Sequence, residues 1–305
     1  MSATAIQNSF FQMELRDFKM FRALVHEYTG IWLRDGKQVM LASRLSRRLR
    51  HLGIAGFAEY YEYVRKLPAD CEEVRELINC VTTNKTSFFR ERHHFDFLAK
   101  TVVPEIQNAV RHGAPRSIRI WSAACSTGEE PYSIAITLLE ALQASSPVLH
   151  RPGVSGASPS HGSWIIEIVA SDIDTAVLAT AARAIYSLDE LDSVSQPLHK
   201  KYFLCGKDDM RGKVKVKPDL TRLVQFKRIN LQDKHWPLDD LFDVIFFRNA
   251  LIYFNQDTQD VFLRKMARLL KPNGYLFLGN SEHIPWLNDI FMPLNQTMYR
   301  LREAT

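Results

Sequence analysis

The residues best placed to do chemistry stand where apolar runs stop. In IRIWSAACSTGEEPYS, residues 118–133, Ile118, Ile120 and Trp121 give way to small residues and then to two carboxylates, Glu129 and Glu130. Pro131 sits where a first helical turn tolerates it, because the N–H it lacks would have been unpaired there anyway. Tyr132, Ile134, Ala135, Ile136, Leu138 and Leu139 then read as a helix facing a core. Strand, small-residue turn and helix in that order open a ligand crevice at the carboxyl end of a strand. The turn has no GxGxxG, and Gly128 is its one glycine for a positive φ. Paired carboxylates at a helix start repel a phosphate and suit a ligand with a positive charge and hydroxyls. S-adenosylmethionine has a sulfonium, an amino group and ribose hydroxyls, and no phosphate. A pair of capping carboxylates is the other reading of the same residues.

Other polar groups lie at equivalent points. The apolar run 164–170 ends in Ser171-Asp172-Ile173-Asp174. A carboxylate at the end of a second strand can take two ribose hydroxyls, which points to Asp172; Asp174 is better placed to cap a helix over 175–184. The run 242–247, FDVIFF, leads into Arg248-Asn249 and on to Tyr253, facing the crevice of Glu130 and Asp172. Asn230-Leu231 stands at the return to the main sheet. Residues 82–90, TTNKTSFFR, are turn-forming and polar before two aromatics and Arg90. They either cap the helix holding His93-His94-Phe95 or line the pocket from its N-terminal side. Adjacent histidines diverge on a helix, which is poor metal spacing.

Residues 1–82 read as a helical domain. Helices are expected over 10–28, carrying Phe11, Leu15, Phe18, Phe21, Leu24 and Val25 and ended by Gly30, and over 38–52, 57–67 and 71–81, with Pro68 as a break. In 38–52, Leu41, Leu45, Leu49 and Leu52 form a stripe flanked by Arg44, Arg47, Arg48 and His51. That flank is either a solvated face or an electrostatic dock for an acidic partner. It lacks the interleaved aromatics that single-stranded nucleic acid would stack on. Residues 83–115 form a linking loop and helix, and 116–305 an α/β domain. Residues 198–229 break the α/β rhythm and suggest an inserted antiparallel hairpin set, with Lys213, Lys215 and Lys217 alternating with valine. Its edge could accept a peptide by β-addition or be an ordinary lysine-protected edge. A helix over 259–270 and strands over 275–279 and 296–301 complete the domain. Residues 144–163, rich in Ser, Pro and Gly, read as a solvated loop. At 305 residues two domains are expected, and the net charge of +5 is too mild to demand nucleic acid. The four scattered cysteines fit a reducing compartment. There is no apolar run long enough for a bilayer and no secretory signal pattern.

Several long motifs in register, WSAACSTGEEPYSIAI, TTNKTSFFRERHHF, SDID, NL, DVIFFRNALIYF and LLKPNGYLFLGNSEH, resemble those of the CheR chemoreceptor methyltransferases across nearly the whole chain. The resemblance implies a class I S-adenosylmethionine-dependent methyltransferase (Rossmann-like) α/β sheet with a small inserted antiparallel β-subdomain, preceded by an all-helical N-terminal domain. It implies methyl transfer from S-adenosylmethionine to receptor glutamates, giving methyl esters and S-adenosylhomocysteine. The family's cofactor contacts fall on Asn84, Thr86, Arg90, Glu130, Asp172, Asn230, Leu231, Arg248 and Asn249. Tyr253 matches the tyrosine near the reacting methyl. The chemistry of the residues adds an expectation of its own: Arg90 and Tyr253 are the catalytic pair, holding the incoming carboxylate or the cofactor end. Arg44, Arg47 and Arg48 match a basic helix that docks the receptor's acidic helices. The expected protein is a cytoplasmic monomer recruited to chemoreceptor arrays, whose partners are the cytoplasmic helices of methyl-accepting chemoreceptors, with no nucleic acid, metal or membrane insertion. Two features depart from the family pattern: the 144–163 loop is longer than is typical, and the turn at 206–212 is not the glycine-rich form of members that tether to a receptor's C-terminal peptide. A non-catalytic cofactor-binding regulator is the alternative, against which stand the intact polar residues Arg90, Arg248, Asn249 and Tyr253. An amino-methylating enzyme would often carry an Asn/Asp-Pro-Pro-aromatic motif where this chain reads Arg248-Asn249-Ala250-Leu251.

Overall fold

The computed structural model describes residues 12–145 and 164–303. The expectations for Phe10 and Phe11 and for most of the 144–163 loop fall outside the described residues. The N-terminal helices are α1 (Leu15–Thr29), α2 (Gln38–Leu52), α3 (Phe57–Val64) and α4 (Glu72–Val81). Their three- and four-residue apolar spacing places Phe18, Phe21, Leu24 and Val25 of α1 against Leu41, Leu45 and Leu49 of α2, Tyr60 and Val64 of α3, and Leu77 and Ile78 of α4. Leu15 begins the first turn of α1 and is exposed. Gly30 ends α1 with φ 73°, the left-handed cap that glycine adopts at least cost.

α5 (His93–Phe97) runs through a π-helical turn at Leu98–Val102 into α6 (Val103–Arg111), and then come β1 (Ser117–Ala123) and α7 (Glu129–Ser145). After the loop follow β2 (Ile165–Asp172), α8 (Thr175–Arg183), β3 (Ile185–Ser187), α9 (Gln196–Tyr202), β4 (Phe203–Cys205), β5 (Lys213–Val216), α10 (Pro218–Thr221) and β6 (Val224–Arg228). The chain closes with β7 (Phe242–Phe247), α11 (Gln256–Ala267), β8 (Leu270–Leu278), β9 (Phe291–Pro293) and β10 (Met298–Leu301). The main sheet has the order β6-β2-β1-β7-β8-β10-β9. β6, β2, β1, β7 and β8 are parallel, whereas β10 runs antiparallel to both β8 and β9.

The two-residue period of the strands divides the core between the faces of this sheet. Ile120, Val244, Phe246 and Phe277 pack under α7 with Ile134, Ala135 and Leu138. Their neighbours Trp121, Ile245, Phe247, Leu276 and Leu278 pack on the other face with Leu263 and Met266 of α11. Both faces are buried, as a parallel sheet between helices requires. The chain builds outward from β1 through β2 to β6, then returns to β7 on β1's other side. The strand order reverses there, which opens a crevice at the carboxyl ends of β1 and β7.

The small antiparallel sheet has the order β3-β5-β4. This corrects the expected 198–229 hairpin set in two ways. Val224–Arg228 belongs to the main sheet, paired in parallel with β2 from Ile168↔Val224 to Asp172↔Arg228. Its place in the insertion is taken by Ile185–Ser187, which is too short to stand out as a strand in the sequence. The lysine-bearing strand 213–216 is therefore central, not an edge; Lys213 and Lys215 are exposed while Val214 and Val216 are buried. The expected helix over 259–270 runs instead from Gln256, where Asn255 caps the Thr258 N–H at 2.9 Å, to Ala267, and Leu270 already belongs to β8.

Candidate functional site

The turn after β1 is tighter than its single glycine implies. Ala124 (φ 60°) and Ser126 (φ 51°) adopt left-handed conformations as well as Gly128 (φ 97°). Non-glycine residues pay for that geometry, so surrounding contacts must hold it. The Cys125 N–H donates to Ser171 O at 2.9 Å, the Ser126 N–H to Asp172 Oδ2 at 2.9 Å and the Gly128 N–H to Cys125 O at 3.1 Å. Those turn amides are spent on protein acceptors, so they form no nest for a pyrophosphate. A Cβ on Gly128 would lie 2.8 Å from Ala181 Cβ and 2.9 Å from Tyr186 Oη. Gly128→Ala is therefore expected to cost about 1–3 kcal/mol, combining strain with that crowding. Denaturant unfolding checks this, and an unchanged midpoint would show that the turn relaxes.

The two turn carboxylates have separate roles. Glu129 is buried and accepts from Thr127 Oγ1 at 2.7 and 3.0 Å, a contact within the turn itself. Glu130 lines a cavity of about 400 Å³ and accepts from Ser122 Oγ at 2.7 Å. Burial raises the pKa of Glu130, opposed chiefly by Arg248, whose Nε lies 3.6 Å from Glu130 Oε2. Asp172 lines the same cavity. Besides the Ser126 N–H it accepts the Asp174 N–H at 3.0 Å, and burial pushes its pKa up to about 6. Asp174 caps α8 through Ala176 N and Val177 N.

All the residues matched to cofactor contacts, Asn84, Thr86, Arg90, Glu130, Asp172, Asn230, Leu231, Arg248 and Asn249, line this one cavity, and so does Tyr253. Several also hold its walls together. Asn84 donates to Asp174 Oδ2 at 2.7 Å, Arg90 to Lys85 O at 2.8 Å and Asn230 to Tyr28 O at 2.6 Å. Tyr253 ends a short 3-10 turn and accepts the Trp32 N–H through its backbone carbonyl at 2.7 Å. The helical domain thus closes one side of the cavity, contributing Ile31, Trp32, Leu33 and Met40.

Sequence reasoning missed two carboxylates behind the cavity wall. Glu91 accepts from Asn249 Nδ2 at 3.1 Å and Asn280 N at 3.2 Å, and its Oε2 lies 3.3 Å from Arg248 Nη2. Glu282 accepts from Gly279 N at 2.6 Å, Asn249 N at 2.8 Å and Ile252 N at 3.3 Å, supporting Asn249 at its positive φ of 58°. Both lie within the quoted motifs, in FFRERHHF and LGNSEH, yet nothing in their spacing separates them from surface carboxylates. Arg248 is buried, donates to Arg90 O and sits 5.4 Å from the centre of the Phe95 ring. Among the described residues its Nε and Nη1 are buried without a hydrogen-bond partner.

The three arginines of α2 are not equivalent. Arg44 caps the end of α4, donating from Nη1 to Val81 O and Thr82 O, both at 2.7 Å. Arg48 pairs with Glu73, which also accepts from Tyr60 Oη at 2.7 Å. Arg47 is exposed and makes no ion pair among the described residues. With Arg44, Arg48 and His51 it borders a shallow basic hollow beside the cavity. Among the described residues no cluster of His, Cys, Asp or Glu could hold a metal, and no helix is long and apolar enough to cross a membrane.

Two family models match this chain: "CheR methyltransferase, all-alpha domain" over residues 16–82, and "CheR methyltransferase, SAM binding domain" over 84–151 and 153–300. The chain belongs to the CheR methyltransferase family. The relatives of this CheR chain include chemotaxis protein methyltransferase 2 of Pseudomonas aeruginosa, 41% identical over 96% of this chain and 95% of that one. The chemotaxis protein methyltransferases of Salmonella typhimurium and Escherichia coli are 41% and 40% identical over 93% of this chain, and over 89% and 90% of their own lengths. The CheR fold is thus a helical domain followed by a Rossmann-like methyltransferase sheet carrying a small antiparallel sheet, and its cofactor is S-adenosylmethionine. The cavity suits that cofactor. It combines acidic acceptors, an Arg248 whose Nε and Nη1 make no hydrogen bond among the described residues, and a turn with no phosphate nest.

Proposed function

We propose that this CheR methyltransferase methylates glutamate side chains of chemoreceptor cytoplasmic helices, forming methyl esters during chemotactic adaptation. The observation that carries this reading is the meeting of Glu130, Asp172, Arg248, Asn249, Tyr253 and the loop at 82–90 on one cavity beside the basic face of α2. The names of the Pseudomonas, Salmonella and Escherichia relatives support the chemotactic setting. In this reading the enzyme works as a cytoplasmic monomer recruited to receptor arrays.

Bound S-adenosylmethionine supplies a methyl group already activated by its sulfonium. A glutamate acceptor, with an ordinary pKa of about 4.3, is already ionised at neutral pH and needs no general base. What the protein must provide is alignment and partial desolvation. In the proposed division of labour, Glu130, Asp172, Asn230, Leu231, Asn249, Asn84 and Thr86 hold the cofactor. Arg90 and Tyr253, at the cavity wall, hold the incoming carboxylate, and Arg248 orients Glu130. The test is incubation with receptor cytoplasmic fragments and methyl-labelled cofactor. Base-labile label on glutamate is the expected result; base-stable label, or cofactor binding without transfer, overturns it.

Docking by α2 makes a sharper prediction. Arg47→Glu is expected to lower kcat/KM for receptor fragments about tenfold or more, with a steep salt dependence, while cofactor affinity stays unchanged. Arg44→Glu and Arg48→Glu are expected to lower the unfolding midpoint as well, because each breaks an internal contact. Parallel loss of cofactor binding and methylation in Arg47→Glu would make Arg47 structural too.

A further inference from the structure

A helix cap needs one acceptor oxygen, and Asp174 spends only half of its carboxylate on capping α8. Its Oδ1 accepts the Ala176 and Val177 N–H groups at 2.9 and 3.1 Å. Its Oδ2 reaches the 82–90 loop, accepting from Thr82 Oγ1 at 2.6 Å and from Asn84 Nδ2 at 2.7 Å. Asp174 is 1% exposed, and its own N–H donates to Asp172 Oδ1 at 3.0 Å. A circuit closes from there. Asn84 O accepts from Ser126 Oγ at 3.0 Å, and the Ser126 N–H returns to Asp172 Oδ2 at 2.9 Å. One ring of hydrogen bonds thus joins the 82–90 loop, the turn after β1 and the end of β2. Asn84 Nδ2 also faces Thr82 Oγ1 at 3.2 Å, so its amide donates within the wall and not into the cavity. Thr82 and Asn84 line the cofactor cavity and the basic hollow of α2 alike, and Arg44 of α2 donates to Thr82 O.

We propose that Asp174 is a positioning residue that acts through Thr82 and Asn84, setting the loop that carries Asn84, Thr86 and Arg90 against Asp172 so that the cavity has the shape S-adenosylmethionine requires. The loop needs such a hold. None of the side chains from Thr82 to Ser87 is buried, and Phe88 is the first that packs into the core. With little apolar burial to fix it, the segment is aligned by its polar contacts. Arg44 fixes the main chain at Thr82 from the α2 side, and Asp174 fixes the side chains of Thr82 and Asn84 from the sheet side. The inference concerns cofactor binding, so it stands or falls independently of which acceptor is methylated.

The test is calorimetry with S-adenosylmethionine, without acceptor, on the whole chain and on Asp174→Ser, alongside denaturant unfolding of both. Serine keeps a capping oxygen for α8 and loses the oxygen that holds the loop. The expected result is a Kd raised about tenfold with an unfolding midpoint close to wild type. An unchanged Kd would make capping the whole role of Asp174, and an affinity that falls only in step with the midpoint would make the residue merely structural; both overturn the proposal. Thr82→Val attacks the same contact from the other side and leaves Asp174 and its cap in place. It is expected to raise Kd about threefold, and it decides the matter if Asp174→Ser does not fold, since an unchanged Kd in Thr82→Val overturns the proposal as well. The double variant Asp174→Ser/Thr82→Val closes a mutant cycle. It is expected to bind no more weakly than Asp174→Ser alone, because the shared contact is already gone; losses that multiply would show the two residues acting separately and overturn the proposal.

Discussion

Arg248→Met is expected to destabilise the protein by roughly 3–5 kcal/mol, the usual cost of removing one partner from a buried ion pair. The side chain is enclosed by Phe95 and Phe246, donates to Arg90 O, and faces two carboxylates. Methionine fills much of the volume, so the loss comes from charge and not from a cavity. Its pH dependence separates the two causes. Burial already raises the Glu130 pKa and Arg248 is its main opposing influence, so the variant's Glu130 rises further above its unfolded value. A carboxylate whose folded pKa is raised penalises folding at high pH and is relieved as pH falls. The stability gap between wild type and variant should therefore narrow on going from about pH 8 to about pH 5. Chemical denaturation across that range measures it; a gap constant with pH would attribute the loss to packing.

Asp172→Ala is expected to weaken S-adenosylmethionine binding about thirtyfold or more, on the scale of a lost charge-assisted hydrogen bond. The variant also frees two buried backbone donors, Ser126 N and Asp174 N, which loosens the turn. Wild-type pH dependence offers a cleaner view. Burial raises the Asp172 pKa to about 6, so the acceptor form is complete above that value and is lost below it. Affinity for the cofactor should fall about tenfold per pH unit below about 6. The effect on folding has the opposite sign. The ionised, buried form costs stability above pH 6, and that cost is relieved as pH drops towards the unfolded value of about 3.9. Affinity that stays flat by calorimetry between about pH 7.5 and 5 would remove Asp172 from the cofactor's contacts.

The chain's own pattern determined the helical domain, the strand–turn–helix at 117–145 and the principal polar groups at strand ends. These are local facts: heptad-like apolar spacing, a two-residue strand period, and polar residues where an apolar run ends. Ten candidate residues from five separate segments were legible because each stands at such a boundary or in a long motif, and the fold brings them to one cavity.

Other features depended on distant partners that no local window contains. Val224–Arg228 alternates like an insertion strand, but pairing with β2 draws it into the main sheet. Ala124 and Ser126 reach left-handed φ because Ser171 and Asp172, on the neighbouring strand, hold the amides of Cys125 and Ser126. Glu91 and Glu282 look like surface carboxylates until the ends of β7 and β8 are brought beside them. The α2 arginines form one basic stripe in sequence; packing against α4 spends Arg44 on helix-end carbonyls and Arg48 on Glu73, leaving Arg47 to solvent. Sequence periodicity says which face a side chain occupies, but which charges remain unpaired is settled only when the other elements have docked.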